Sequence, residues 1–157
     1  MDQVFYNVVN NGLAVSAVAY ANIPQKLNLD SYNDEISTAL VNGSLTTLAE
    51  HIVDYFKTRT ISTDIWQYVD DIAFNSIVWG LVRRFQLHYL VFNFVNSLPL
   101  PYAAKQVLIS GSIIVLSRTA FESLELIPSV RHNKVWRYVF HPSEWIKPLI
   151  SPSQNRY

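Results

Sequence analysis

The chain contains no cysteine. A disulfide framework, an iron–sulfur cluster and a cysteine-ligated zinc site are therefore excluded. Charge is scarce as well: Asp, Glu, Lys and Arg supply 15% of the residues, against about 25% in ordinary soluble proteins. Only four glycines occur in 157 residues. No phosphate-cradling glycine loop and no Gly-x-Ser-x-Gly elbow is present among them. The formal net charge is zero, so the basic footprint of a nucleic-acid binder is missing and no nucleic-acid partner is expected.

What the chain has instead is apolar surface. Mean hydropathy is +0.12, and 33 of the 56 positions from Ile72 to Ile127 are apolar. Arg83-Arg84 and Pro99-Leu100-Pro101 interrupt that stretch, and Lys105 and Arg118 bracket its last apolar run. The zero net charge also conceals an asymmetry. Residues 26–71 carry a net of −5 and residues 72–157 a net of +6. Such polarity favours head-to-tail contact between copies, a basic half facing an anionic surface, or neutralisation within one fold.

Periodicity predicts a mainly α fold of four to five helices. Residues 3–23 are uncharged and apolar on most faces. Ala19-Tyr20-Ala21 has the small-x-small form of a cleavage site, but Asp2 and the lack of early Lys or Arg argue against a leader. Residues 23–33 read as a loop. Asp34 to Arg59 is amphipathic, with Ile36, Leu40, Leu45, Leu48, Ile52 and Phe56 recurring. Asn42-Gly43-Ser44 predicts a turn within it, with Ser44 capping a second helix. Ser62-Thr63-Asp64 is a further cap signal, opening a helix that runs toward Leu98. Pro99 and Pro101 end it by lost donors and ring clashes, and 103–126 forms the next helix.

Pro128, Pro142, Pro148 and Pro152 change the character of the last thirty residues. Trp136, Tyr138 and Phe140 alternate along residues 135–140, which suits a short strand or an extended arm. The expected division is a helical domain over 1–127 and an extended, aromatic-rich arm over 128–157, frayed beyond Ser151.

A helix needs about 20 apolar residues to cross a hydrocarbon core of about 30 Å. Phe85 to Leu98 would reach roughly 21 Å and Gln106 to Ser117 roughly 18 Å. Two central arginines would cost a longer span about 5–7 kcal/mol, which cancels its apolar gain. Any spanning helix here is marginal alone. The pair 3–23 and 103–121 is the most plausible membrane unit, and buried helices of a soluble bundle are the competing reading.

Few residues point to chemistry. Glu50-His51-x-x-Asp54 would need another ligand to hold a metal, and a solvated face opposite Leu48, Ile52 and Phe56 is expected. Adjacent Asp70 and Asp71 point apart on a helix. Ser110, Ser112 and Ser117 have no nearby histidine and suit close helix packing. Arg83 and Arg84 sit in apolar sequence, where an unpaired charge is costly. They are expected to contact lipid phosphates, acids of a partner, or acids at 64–71 or 122–125. Trp136, Tyr138, Phe140 and Trp145, mixed with basic residues, are expected to meet a partner or a membrane interface.

The sequence thus predicts no catalytic, cofactor or metal site. It predicts a non-enzymatic structural component of a larger assembly, membrane-associated or buried among neighbouring subunits. A soluble helical adaptor or homo-oligomer is the alternative. Low charge, no cysteine, twelve asparagines and aromatic C-terminal residues make the composition similar to that of small shell components of large icosahedral DNA viruses with an internal membrane. The likeness implies a virion setting and specifies no residue.

Overall fold

The computed structural model describes residues 2–27 and 35–150, with side-chain surroundings from Val8 onward. The expected fraying beyond Ser151 and most of the expected 23–33 loop lie outside the described residues, and the described part, Ile23–Lys26, is a short helix rather than a loop. Helices account for nearly all of the rest: α1 (Asp2–Ala21), α2 (Ile23–Lys26), α3 (Glu35–Thr58), α4 (Ile65–Arg84), α5 (Tyr89–Asn96), α6 (Tyr102–Glu125), α7 (Pro128–Arg131), α8 (Lys134–Phe140) and α9 (Ser143–Ile150). The mainly α class holds, with more elements than the four or five expected.

The four long helices form an up-down-up-down bundle, the arrangement that short connections favour. Side-chain pairs fix the directions. Asn10 bonds to Asp54 near the end of α3, and Asn22, just after α1, lines a cavity with Thr38 near the start of α3, so α1 and α3 are antiparallel. His51 bonds to Asp71 and Arg84 reaches Glu35, so α3 and α4 are antiparallel. Asn75 bonds to Arg118 and Phe74 packs on Phe121, so α4 and α6 are antiparallel. Val15, Val78, Val82, Ile113 and Ile114 make the apolar centre.

Three local expectations need correction. The Asn42-Gly43-Ser44 turn does not form, and α3 runs through it. Gly43 is the point of closest approach to α4, where a Cβ would lie 2.6 Å from the Ser76 Cα. The missing side chain there serves helix packing rather than a turn. The single helix expected toward Leu98 breaks after Arg84. Gln86 takes a left-handed φ of 51°, and Phe85 and Leu87 donate back to the carbonyls of Leu81 and Val82. The Asp64 cap forms as expected, its carboxylate accepting from the Trp66 amide at 3.0 Å.

The third correction concerns residues 128–150, which are not an extended arm or a strand. They form α7, α8 and α9, which pack on α4 and α6. The prolines limit helix length without preventing helices, because Pro128 occupies the first turn of α7, where its missing N–H is not needed. Asn133 caps α8 by accepting from the amides of Val135 and Trp136. Within that helix Trp136 and Phe140 are one turn apart and share a face. The alternation read as a strand is a helical i, i+4 pair with Tyr138 on the other side.

Candidate functional site

Beside its apolar centre, the bundle interior carries a row of buried polar side chains. Asn10, Asn11, Thr38, Thr46, Thr47, Glu50, Asn75 and Ser76 are all buried. Thr46, Thr47 and Glu50 lie within one turn of α3 and face α4 and α6. Glu50 forms an ion pair with Arg118, and the two side chains are only 9% and 13% exposed. Arg118 also donates to Asn75 Oδ1 at 2.8 Å and to Glu122 at 2.9 Å, while its guanidinium sits 5.5 Å over the Phe74 ring. Asn75 Nδ2 donates to Thr47 Oγ1 at 2.9 Å, and the Trp79 indole donates to Thr46 Oγ1 at 2.9 Å. Buried charge is tolerated only with such pairing and hydrogen bonding.

Toward the outer end this seam opens into a cavity of about 220 Å³ lined by Asn11, Glu50, His51, Asp54, Gln67, Asp71, Arg118 and Glu122. The solvated face expected for Glu50, His51 and Asp54 is therefore turned inward. His51 bonds to Asp71 at 3.1 Å and packs on Tyr68 at 4.2 Å between ring centroids. Burial pushes the Asp71 carboxyl up, and His51 only partly offsets it. The arrangement clasps charges against one another. No group of His, Asp and Glu with metal-holding geometry is found among the described residues.

A second polar clamp fastens the C-terminal helices. Glu125 accepts from the Trp136 indole at 2.9 Å and meets His141 at 2.6 Å. Asp70 accepts from the Ser143 amide at 2.9 Å and the Ser143 hydroxyl at 2.6 Å. Arg137 donates to Glu144 at 2.7 Å, with Arg131 at 3.7 Å from the same carboxylate. Slight burial pushes the Glu144 carboxyl up, but the Arg137 hydrogen bond and the charges of Arg137, Arg131 and His141 outweigh it and hold it below its ordinary 4.5. A lowered carboxylate contributes stability above its unfolded value and loses it as pH falls through the folded value. Acidification below 4.5 is thus expected to loosen α8 and α9, read as faster amide exchange in α9. Glu144→Gln should remove that response, and an unchanged acid response in the variant would rule the clamp out as its source. Asp71 acts with the opposite sign, since its raised value makes stability fall as pH rises above 3.8.

The residues expected at a partner or lipid contact separate into different settings. Arg83 and Arg84 stand in the last turn of α4, where cations suit the negative end of the helix dipole, not at the middle of an apolar helix. Arg84 is 58% exposed and reaches Glu35 at 3.9 Å. Arg83 is half-buried at a separate cavity. Phe140 is buried against Phe74 and Phe121, and Trp136 is half-buried beside it at 4.4 Å. Tyr138 and Trp145 face outward, stacked at 4.6 Å with 9° between their planes.

Sequence reasoning missed the seam itself. Thr46, Thr47, Asn75 and Arg118 gave no motif, and the one available signal was two faces on α3, polar and apolar, with no statement of which lies inside. No protein-family model, no curated protein and no solved structure matches the chain.

Proposed function

We propose that the protein is a non-enzymatic structural subunit of a larger assembly, whose outward apolar helix faces are covered by neighbouring subunits. The observation that carries this reading is the inversion of α3. Thr38, Thr46, Thr47 and Glu50 are buried while Ile36, Leu40, Leu48, Ile52 and Phe56 are 78%, 49%, 54%, 48% and 67% exposed. Val9, Leu13, Leu108 and Leu116 extend the outward apolar surface onto α1 and α6. Large contiguous apolar surface on a folded chain marks an interaction site. The stacked Tyr138–Trp145 pair, beside Lys134 and Arg137, has the aromatic and basic character of a docking surface.

Neighbouring protein is favoured over lipid for most of this surface. On α3, which carries most of the outward row, the uncharged part, residues 36–49, spans roughly 21 Å, against about 30 Å of hydrocarbon core. Lipid contact remains a second reading for one element. Helix α6 is long and apolar enough to cross a membrane, with 22% of its apolar window buried in the bundle. A shell layer apposed to a membrane, as in a virion, accommodates both.

Sedimentation velocity of the purified chain tests the proposal. The chain is expected to form oligomers or to require detergent. Leu48→Glu with Ile52→Glu is expected to yield a dispersed, fully helical chain, because both positions lie outside the core. A monodisperse wild-type monomer at high concentration in plain buffer would overturn the reading. Loss of helicity in the double variant would show that this face belongs to the chain's own core.

A further inference from the structure

Arg83 and Arg84 are neighbours in sequence and have different surroundings. Arg84 projects into solvent toward Glu35. Arg83 lines a cavity of about 190 Å³ enclosed by α2, α3, α4, α6 and the turn before α5. A cavity of roughly 150 Å³ holds a benzene molecule, so this one has room for a small polar headgroup. Its walls are of two kinds. Ala39, Trp79, Val82 and Ile114 are apolar, whereas Thr38, Asn42, Arg83, His88 and Ser110 bring hydrogen-bonding groups. Apolar walls with a few convergent polar groups are the common form of a small-ligand site.

The electrostatics select the sign of the ligand. The described lining residues include a guanidinium and an imidazole and no carboxylate. The positive dipole end of α3 near Thr38 is offset by the negative end of α4 beside it, so the preference for an anion rests on the Arg83 guanidinium. Arg83 also has an interaction within the chain, and a guanidinium with five donors can serve both that contact and a ligand. Outside the cavity, Ile36 and Leu40 on α3 and Phe85 just after α4 are exposed. They give an apolar track for anything attached to the headgroup.

We propose that this cavity binds a phosphate group, with Arg83 as its counter-charge and Asn42, Ser110 and His88 as hydrogen-bonding partners. Planar, forked donors are suited to phosphate oxygens. The phosphate is either free or the headgroup of an acidic phospholipid, whose chains would then run along the outward track. A free phosphate would leave the outward row to neighbouring subunits, whereas lipid chains would occupy its Ile36–Leu40 end in their place.

Calorimetric titration of the full chain in a non-ionic detergent distinguishes these cases. The probes are dihexanoyl phosphatidic acid, dihexanoylglycerol and inorganic phosphate. Saturable binding of phosphatidic acid, with none of the neutral diacylglycerol, is expected if the source is lipid. Equal binding of inorganic phosphate would assign the site to the free anion. In either case Arg83→Gln should weaken binding about tenfold or more, corresponding to a lost charge-assisted contact of about 1.4 kcal/mol or above. Arg84→Gln should change it less than about twofold, the level of an exposed pair. Asn42→Asp keeps side-chain size and adds a negative charge to the opposite wall, so it should also abolish binding. It keeps the test decisive should Arg83→Gln fail to fold. No saturable binding of either phosphate probe, equal binding of dihexanoylglycerol, or full binding by a folded Arg83→Gln or Asn42→Asp chain would overturn the proposal.

Discussion

Arg118→Met is expected to destabilise the bundle by about 3–5 kcal/mol, the range found when one partner of a buried ion pair is removed. Glu50 would then be left 9% exposed with no cation, and Asn75 Oδ1 and Glu122 would lose their donor as well. Glu50→Gln alone should cost less than Arg118→Met, since a neutral amide can keep the Asn75 contact. The combined variant Glu50→Gln/Arg118→Met should recover much of the loss, because the uncompensated charge is gone and Met packs against Phe74. Denaturant melts of the three variants in one mild detergent measure this. If the double variant is as unstable as the sum of the singles, the pair is not an energetic unit and the seam is only a set of separate contacts.

Gly43→Ala is expected to cost about 3 kcal/mol, at the upper end of the usual overpacking range. The added methyl would lie 2.5 Å from the Ser76 amide nitrogen and 2.6 Å from its Cα. Those are backbone atoms, so relief requires α3 and α4 to move apart along their whole contact, disturbing Thr47–Asn75 and His51–Asp71 on the same face. Ser76→Gly should therefore rescue the variant only in part. The control is Gly12→Ala on α1, which meets nothing within 4 Å and should stabilise by up to about 1 kcal/mol through helix propensity alone. Thermal melts that place both variants on the same side of wild type would remove the close-approach account.

These two sites show why the helices were legible and their arrangement was not. Propensity, the Asp64 cap and the Pro99 and Pro101 breaks are local, and a sequence reports local signals directly. Gly43 carried a local signal too, between Asn42 and Ser44, but the contact with α4 outweighed it. A glycine's role depends on what stands opposite, which sits 33 positions away at Ser76. The break after Arg84 rests on a left-handed Gln86, a conformation that glutamine does not announce. Without that break the two arginines look stranded in an apolar helix. With it they are ordinary C-terminal cations on α4.

The polar seam was hidden for another reason. The period of α3 identifies two faces, and the usual rule sends the apolar one inward. Here Arg118, 68 positions beyond Glu50, reverses the choice by offering a charge partner inside the bundle. At the C-terminus Trp136, Tyr138 and Phe140 fit a period of two in the sequence, although Trp136 and Phe140 equally fit one helical turn. Asn133 as a helix cap was the available evidence for the other period.

The outward row of Ile36, Leu40, Leu48, Ile52 and Phe56 also bears on how long such a molecule survives. Quality-control machinery recognises exposed apolar side chains, and this chain presents them after folding is complete. If the proposed assembly role holds, the chain would be a chaperone client and a protease substrate until that surface is covered. Its abundance in a cell would follow the supply of partners more closely than its own melting temperature. Overproduction alone would raise turnover, and co-production with the covering surface would raise yield.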